Sequence, residues 1–277
     1  MYVSAVIPTY NRARYLARAV RSVLGQSLGD LELIVVDDGS RDNTRQMLEN
    51  ISDSRLRYIH QENKGVAAAR NAGMRRARGE YVAFLDSDDW WLRDKLEKQT
   101  RFMRETGLKI SQTQEGWIRG DREVAPGIRH QKYAGWIFER SLKLCLISPS
   151  CVMWDRELID QGYFFHEDFP ACEDYEMWLR ITLDYPVGLL PRCLTRKHGG
   201  RRDQLSRQII GLDLFRIYAM LELLEKRELP GDKKKRVLSV LQYKAGIYVS
   251  GCLKRGRMEE AWRVKKLVSP WVSGLTS

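Results

Sequence analysis

The sequence predicts an α/β fold: a Rossmann-like, mainly parallel sheet with helices on both faces, followed by a C-terminal α-helical extension. Three observations carry the prediction. Strand-like and helix-like segments alternate with a short period through roughly the first hundred residues, the signature of a parallel sheet wrapped by helices. The apolar runs "LIVV" and "YVAFL" lack any polar alternation, as strands buried on both faces do. Beyond Gly199-Gly200 the pattern is almost purely helical.

The elements follow in order. "YVSAVIP" (2–8) is a strand, and "RARYLARAVRSVLGQ" (12–26) places Tyr15, Ala19, Val20, Val23 and Leu24 at helical spacing. "LELIVVDD" (31–38) is the second strand, "RDNTRQMLENI" (41–51) a short helix and "LRYIH" (56–60) the third strand. The Ala-rich "GVAAARNAGMRRA" (65–77) is a helix, and "EYVAFLD" (80–86) the fourth strand. From about 108 to 200 the rhythm breaks. "GWIRGDREVAPGIRHQKYAGWIFERS" (116–141) mixes Gly, Pro and aromatic residues without period and reads as an irregular surface layer. "ACEDYEMWLRITLDYP" (171–186) resumes as a helix, and "VGLLP" and "CLTRKH" read as two short closing strands. The extension divides into helices at about 203–227, 230–254 and 257–267, separated by Pro230-Gly231 and Gly256.

Bulk properties narrow the class. Hydrophobic residues make up 43% and charged residues 30% of the chain, ordinary for a globular protein. No apolar stretch reaches the ~18–20 residues needed to cross a bilayer. The run Val3–Pro8 is short, has no basic region before it and is followed by Asn11, Arg12 and Arg14, so it does not read as a signal peptide. A cytoplasmic protein is expected. The five cysteines are scattered without a C-x-x-C pair, which argues against a disulfide framework or a zinc site. A net charge of +11, from 47 basic and 36 acidic residues, implies an anionic partner.

In sheets of this kind ligands bind beyond the carboxyl ends of the strands. Pro8–Asn11, Asp37–Ser40, Glu62–Gly65 and Asp86–Asp89 stand there and converge on one crevice. The strand "YVAFL" therefore delivers three acids, Asp86, Asp88 and Asp89, to a site. Asp86-Ser87-Asp88 would also suit a turn with the cap of a helix starting near Leu92. Two carboxylates at i and i+2, however, repel each other unless a cation joins them. Oxygen ligands select Mg²⁺ or Mn²⁺, which complete their shells with water and substrate phosphates.

The text "VSAVIPTYNRARYLARAVRSVLGQS", "LELIVVDDGSRDNT", "NKGVAAARNAGMRRARGEYVAFLDSDDWW" and "ACEDYEMWLRI" strongly resembles the family-two inverting glycosyltransferases. The match is dense over about 2–100 and thin over 145–200. The resemblance implies a glycosyltransferase A-type fold, a nucleotide-sugar donor and a divalent cation, Mn²⁺ or Mg²⁺. It divides the chain into a catalytic domain, 1–200 (donor half 1–107, acceptor half 108–200), and a helical extension, 201–277. On this resemblance Pro8, Tyr10 and Asn11 line the donor site, with the Tyr10 ring against the base. Asp38 accepts from a base N–H, Asp86 lies by the ribose, Arg70 reaches a phosphate and Asp88 is the metal ligand. Arg70 reads equally as a solvated helical arginine.

Asp174, in the Glu173-Asp174 pair, is the expected general base, although acids at a helix start also serve as caps. "TRKHGGRRDQLSR" (195–207) is a further anion-site candidate, with His198 as metal ligand or plain surface histidine. The Q-x-x-R-W motif of processive synthases is absent, which implies single-sugar transfer to a glycan or lipid-linked acceptor in polysaccharide or glycoconjugate synthesis. A UDP-sugar is the expected donor. A nucleotidyltransferase competes, but "PTYNRARYL" replaces its Gly-rich, basic first loop. A basic nucleic-acid-binding or adaptor protein also competes, but its phosphate partner would be repelled by acids at the sheet edge. No nucleic acid is expected. The basic extension, carrying Trp262 and Trp271, is expected to pack on the catalytic domain or a second subunit, or to touch an anionic membrane surface.

Overall fold

A computed structural model describes residues 2–120, 122–125, 127, 130–199, 209 and 211–272. Strands β1 (Val3–Thr9), β2 (Leu31–Asp37), β3 (Leu56–His60) and β4 (Tyr81–Phe84) alternate with helices α1 (Ala13–Leu24), α2 (Thr44–Glu49) and α3 (Val66–Met74), in the expected order. All their pairings are parallel, with β1 between β2 and β4. Successive residues of β1 face opposite sides. Val3, Ala5 and Ile7 pack with Leu16, Val20 and Val23 of α1, while Val6 packs with Ala67 and Met74 of α3. At Gly73 a Cβ would come within 2.4 Å of Val6, so only glycine lets α3 lie this close to the sheet.

Past β4 the sheet turns mixed. Its order is β3-β2-β1-β4-β8-β6-β9-β5, with β5 (Trp90–Trp91), β6 (Ile110–Arg119), β8 (Val152–Asp155) and β9 (Val187–His198); β7 (Arg122–Val124) pairs with β6. Strand β8 runs antiparallel to both β4 and β6, and β6 pairs parallel with β9. The sequence reading placed no strand at β6, a ten-residue inner strand whose last four residues open the segment expected to be an irregular surface layer. Its text, "ISQTQEGWIR", hid it, because the buried Ser111, Gln112 and Thr113 are polar. Their partners come from elsewhere: Gln99 Nε2 donates to the Ser111 carbonyl and Oγ, and Gln112 Nε2 donates to the Tyr133 carbonyl. Buried polar groups are tolerated when so paired. The two closing strands are one strand, β9, whose register with β6 shifts beside Gln114. Asp86 and Asp88 cap no helix. Trp90 and Trp91 pair with β9, and α4 (Lys95–Thr106) starts later, after Asp94.

Among the described residues the remaining α-helices are α5 (Phe138–Ser141), α6 (Glu157–Asp160), α7 (Glu173–Asp184), α8 (Leu212–Lys226), α9 (Gly231–Lys254) and α10 (Met258–Val268). The expected start of the extension, 203–208, with Gly200, Arg201 and Arg202, lies outside the described residues. Helices α8–α10 share a core with α7: Tyr175, Leu179 and Leu183 pack with Ile217, Leu221, Val237, Leu241 and Val264. Trp271 is half-buried on that core, whereas Trp262 is exposed. All five cysteines are free thiols. Among the described residues no helix is long and apolar enough to cross a membrane.

Candidate active site

The carboxyl ends of β1, β2 and β4, the start of α3 and the start of α7 surround one cavity of about 880 Å³, within the usual size of a ligand site. Pro8 and Tyr10 line it, and Tyr10 is 46% exposed, its ring uncovered for stacking. Asn11 does not line it. Its backbone is left-handed (φ 51°), its Oδ1 accepts from the Arg41 N–H at 2.8 Å, and its own N–H donates to Ser40 Oγ at 2.8 Å. Asn11 therefore clasps the β1 loop to the β2 loop, a task suited to a residue that tolerates this conformation.

Asp38 lines the cavity, but its carboxylate already accepts from Gln61 Nε2 (2.7 Å) and from the N–H groups of Lys64 (2.9 Å) and Gly65 (2.8 Å). About one acceptor position remains for a ligand. Asp37 takes the Tyr58 hydroxyl at 2.9 Å and the Ser40 N–H at 2.9 Å, which orients the loop.

The acids after β4 receive separate treatment. Burial pushes the Asp86 carboxyl up, but Arg70 and Lys197 outweigh burial and hold it below the usual carboxylate range. Asp88 goes the other way, raised by burial and by the neighbouring charge of Asp86. Asp89 is pushed up to about 8 by burial. It accepts from Ser150 Oγ (2.6 Å) and the His198 N–H (3.0 Å), with Lys197 Nζ at 3.9 Å.

Arg70 is buried, not solvated. It donates to Asp86 Oδ1 at 2.9 Å and to Glu173 Oε1 at 2.6 Å, so it spans from the end of β4 to α7. Two guanidinium nitrogens expected for a phosphate are thus committed, and its Nε is buried without a partner among the described residues.

On the opposite wall Cys172 holds a left-handed conformation (φ 62°) at the start of α7, where a side chain is strained. This sharp entry turns Glu173 and Asp174 into the cavity. Glu173 is raised by burial and by Asp174, against the pull of Arg70. Asp174 is half-buried, and its Oδ2 accepts from the Cys145 thiol at 3.5 Å.

His198 does not line the cavity. Its ring stands edge-on to Tyr15, centroids 5.6 Å apart, and its backbone holds Asp89.

The donor set fits a divalent cation. The donor atoms offered at the tip of β4 are carboxylate oxygens; Arg70 already pairs with Asp86 and Lys197 stands by Asp89, whereas the charged form of Asp88, disfavoured by burial and Asp86, is what an added cation would stabilise. Among the described residues no group of three His, Cys, Asp or Glu side chains could hold an ion unaided. An ion at Asp88 would complete its shell from a diphosphate and water, as magnesium-type ions do.

Sequence reasoning passed over Ser150, Leu212 and Arg216. Lys197 was visible only as one of several basic residues. Ser150 and the α8 residues reach the site through packing that no local motif announces.

The model of the family described as Glycosyl transferase family 2 matches residues 4–161. An uncharacterized glycosyltransferase of Rickettsia felis is 34% identical over 195 residues, 70% of this chain and 32% of that protein. The chain thus spans roughly a third of that relative's length. The Escherichia coli protein WfgD, named as a UDP-Glc:α-D-GlcNAc-diphosphoundecaprenol β-1,3-glucosyltransferase, is 35% identical over 189 residues, 68% of this chain and 72% of WfgD. Among solved structures, Staphylococcus aureus TarS 1–349 in complex with UDP-GlcNAc superposes with a TM-score of 0.73 at 22% identity, covering 87% of this chain and 72% of TarS. That likeness shows the fold, which is of the glycosyltransferase A type. Because the family model matches residues 4–161, from β1 past the acid cluster to α6, and WfgD is 35% identical over 68% of the chain, this chain belongs to glycosyl transferase family 2.

Proposed function

We propose that the chain transfers one sugar from a nucleotide-sugar, a UDP-sugar first among candidates, to a hydroxyl of a glycan or lipid-linked acceptor, with inversion at the anomeric carbon. One observation carries the reading: a single cavity joins the acids after β4 to Asp174 on the opposite wall. The names of WfgD and of the TarS complex support a UDP-linked donor, and that of WfgD a lipid-linked acceptor.

In this reading Tyr10 stacks on the base, a contact every nucleobase offers. Asp38 uses its remaining acceptor position on a base N–H, and Asp86, fixed by Arg70, faces the ribose. Asp88 would hold a Mn²⁺ or Mg²⁺ ion, which when bound neutralises charge on the leaving diphosphate. Lys197, raised by Asp89, Glu115 and Asp86 against the effect of burial, stays charged beside this position. Asp174 takes the proton of the attacking acceptor hydroxyl, from the face opposite the diphosphate.

A panel of nucleotide-sugars, incubated with the full chain and Mn²⁺ or Mg²⁺, tests the reading by nucleoside diphosphate release. Release with one donor and its loss in excess chelator are expected. No release from any donor, or undiminished release in chelator, would overturn it.

A further inference from the structure

Arg216 of α8 also lines the cavity, with its guanidinium 5.9 Å from the centroid of the Tyr175 ring, next in sequence to Asp174. Its Nη1 donates to Asp213 Oδ1 at 2.8 Å, and the same oxygen accepts from Lys244 Nζ of α9 at 2.9 Å. Two cations therefore share one carboxylate, and the cluster carries one positive charge in excess. The cluster is largely withdrawn from water, with Lys244 8% and Arg216 20% exposed. The Arg216 Nε is buried and has no hydrogen-bond partner among the described residues. The part of Arg216 that reaches the cavity is the exposed fifth of its side chain, and an anion there would add a charge-assisted contact to a cation whose shared carboxylate leaves it in excess. The surrounding wall is acidic, through Glu167, Asp168, Glu173 and Asp174. Arg12, Lys64, Arg70 and Lys197 line the donor side of the cavity, whereas on the wall of Asp174 the cation is Arg216, so an anion held there is placed by Arg216.

We propose that Arg216 reads an anionic group, phosphate or carboxylate, carried by the acceptor, and thereby presents the acceptor hydroxyl to Asp174. This rests on the reading of the Asp174 wall as the acceptor side. The extension thus acts as a specificity element, its contact supplied by α8 and held in place by α9.

The test is calorimetric titration of the full chain with phenyl phosphate, benzoate and phenyl β-glucoside in excess chelator, so that no cation at Asp88 attracts the phosphate. Phenyl phosphate or benzoate binds and the neutral glucoside does not. Stronger binding of phenyl phosphate points to a phosphorylated acceptor, and stronger binding of benzoate to an acidic sugar. Arg216→Met weakens the bound anion at least about tenfold, the scale of a lost charge-assisted contact, while Arg216→Lys retains most of the affinity. Lys244→Met, which removes the excess charge but leaves Arg216, also weakens it. Absence of binding by either anion, or wild-type affinity in Arg216→Met and Lys244→Met, would overturn the proposal. Nucleoside diphosphate release with Mn²⁺ tests the donor reading separately: release without anion binding removes only the role of Arg216, and anion binding without release removes only the transfer reading.

Discussion

Asp88 and Asp174 sit on opposite walls of one cavity, so their substitutions are expected to fail differently. Asp88→Ala should abolish metal-dependent nucleotide-sugar binding in calorimetry and leave unfolding almost unchanged, because Asp88 belongs to the site and not the core. Asp174→Asn keeps size and hydrogen bonding but removes the basic oxygen. Turnover should fall by ~10²–10⁴-fold with donor affinity intact; equal loss of donor binding would refute the base assignment. Lys95 gives a different kind of prediction. It is fully buried, its Nζ meets no hydrogen-bond partner among the described residues, and it lies 3.8 Å from the centroid of Trp91. Burial pushes it down from 10.5 to about 7. Between those values the unfolded chain holds the proton and the folded chain does not, so stability rises with pH across that window. Lys95→Met should therefore stabilise the protein by roughly 2–4 kcal/mol at pH 7, with the gain shrinking toward pH 10. A constant difference in urea midpoint from pH 7 to 10 would contradict this.

At the scale of elements, the extension is the clearest case. Helices α8–α10 bury an apolar stripe against α7, so the expected packing on the catalytic domain is realised, and removing everything after Leu229 would open a core. The residual question concerns α10, where Trp262 (60% exposed), Met258 and Leu267 remain uncovered beside Arg263, Lys265 and Lys266. Interfacial tryptophan among basic residues suits an anionic bilayer surface, each cation adding ~1 kcal/mol. Sedimentation with anionic vesicles should carry the chain down, less so in added salt, and Trp262→Ser should weaken it without disturbing the core. Equal recovery in the supernatant with anionic and neutral vesicles would leave α10 as a plain surface helix.

For the whole molecule, Arg70 is the tie between halves, since it bonds Asp86 after β4 and Glu173 on α7 from a buried position. Arg70→Met would strand the buried carboxylate of Glu173 and remove one partner of the half-buried Asp86, and loss of one partner from a buried ion cluster typically costs about 3–5 kcal/mol. The two acids would have folded-state pKa values above their unfolded ones. Their penalty should be largest at neutral pH and fade as pH falls and they take up protons. Urea unfolding at pH 7 and pH 5 checks this; a loss equal at both would mean the carboxylates remained compensated.

The β-α-β-α-β-α-β order, the helices of the extension and the placement of Asp38, Asp86 and Asp88 at strand ends were legible from periodicity, because apolar spacing records which face of a segment is buried. The acids were legible for the opposite reason: charge at the end of a fully apolar strand has no packing explanation. The inner strand β6 was not legible, since its buried Ser111, Gln112 and Thr113 look like surface residues until their partners are known. Nor was the task of Arg70, whose partner Glu173 stands 103 residues away, nor the presence of Arg216 in the cavity. Each of these depends on which distant group satisfies a buried polar atom. That pairing is settled by packing in three dimensions, and local pattern carries no record of it.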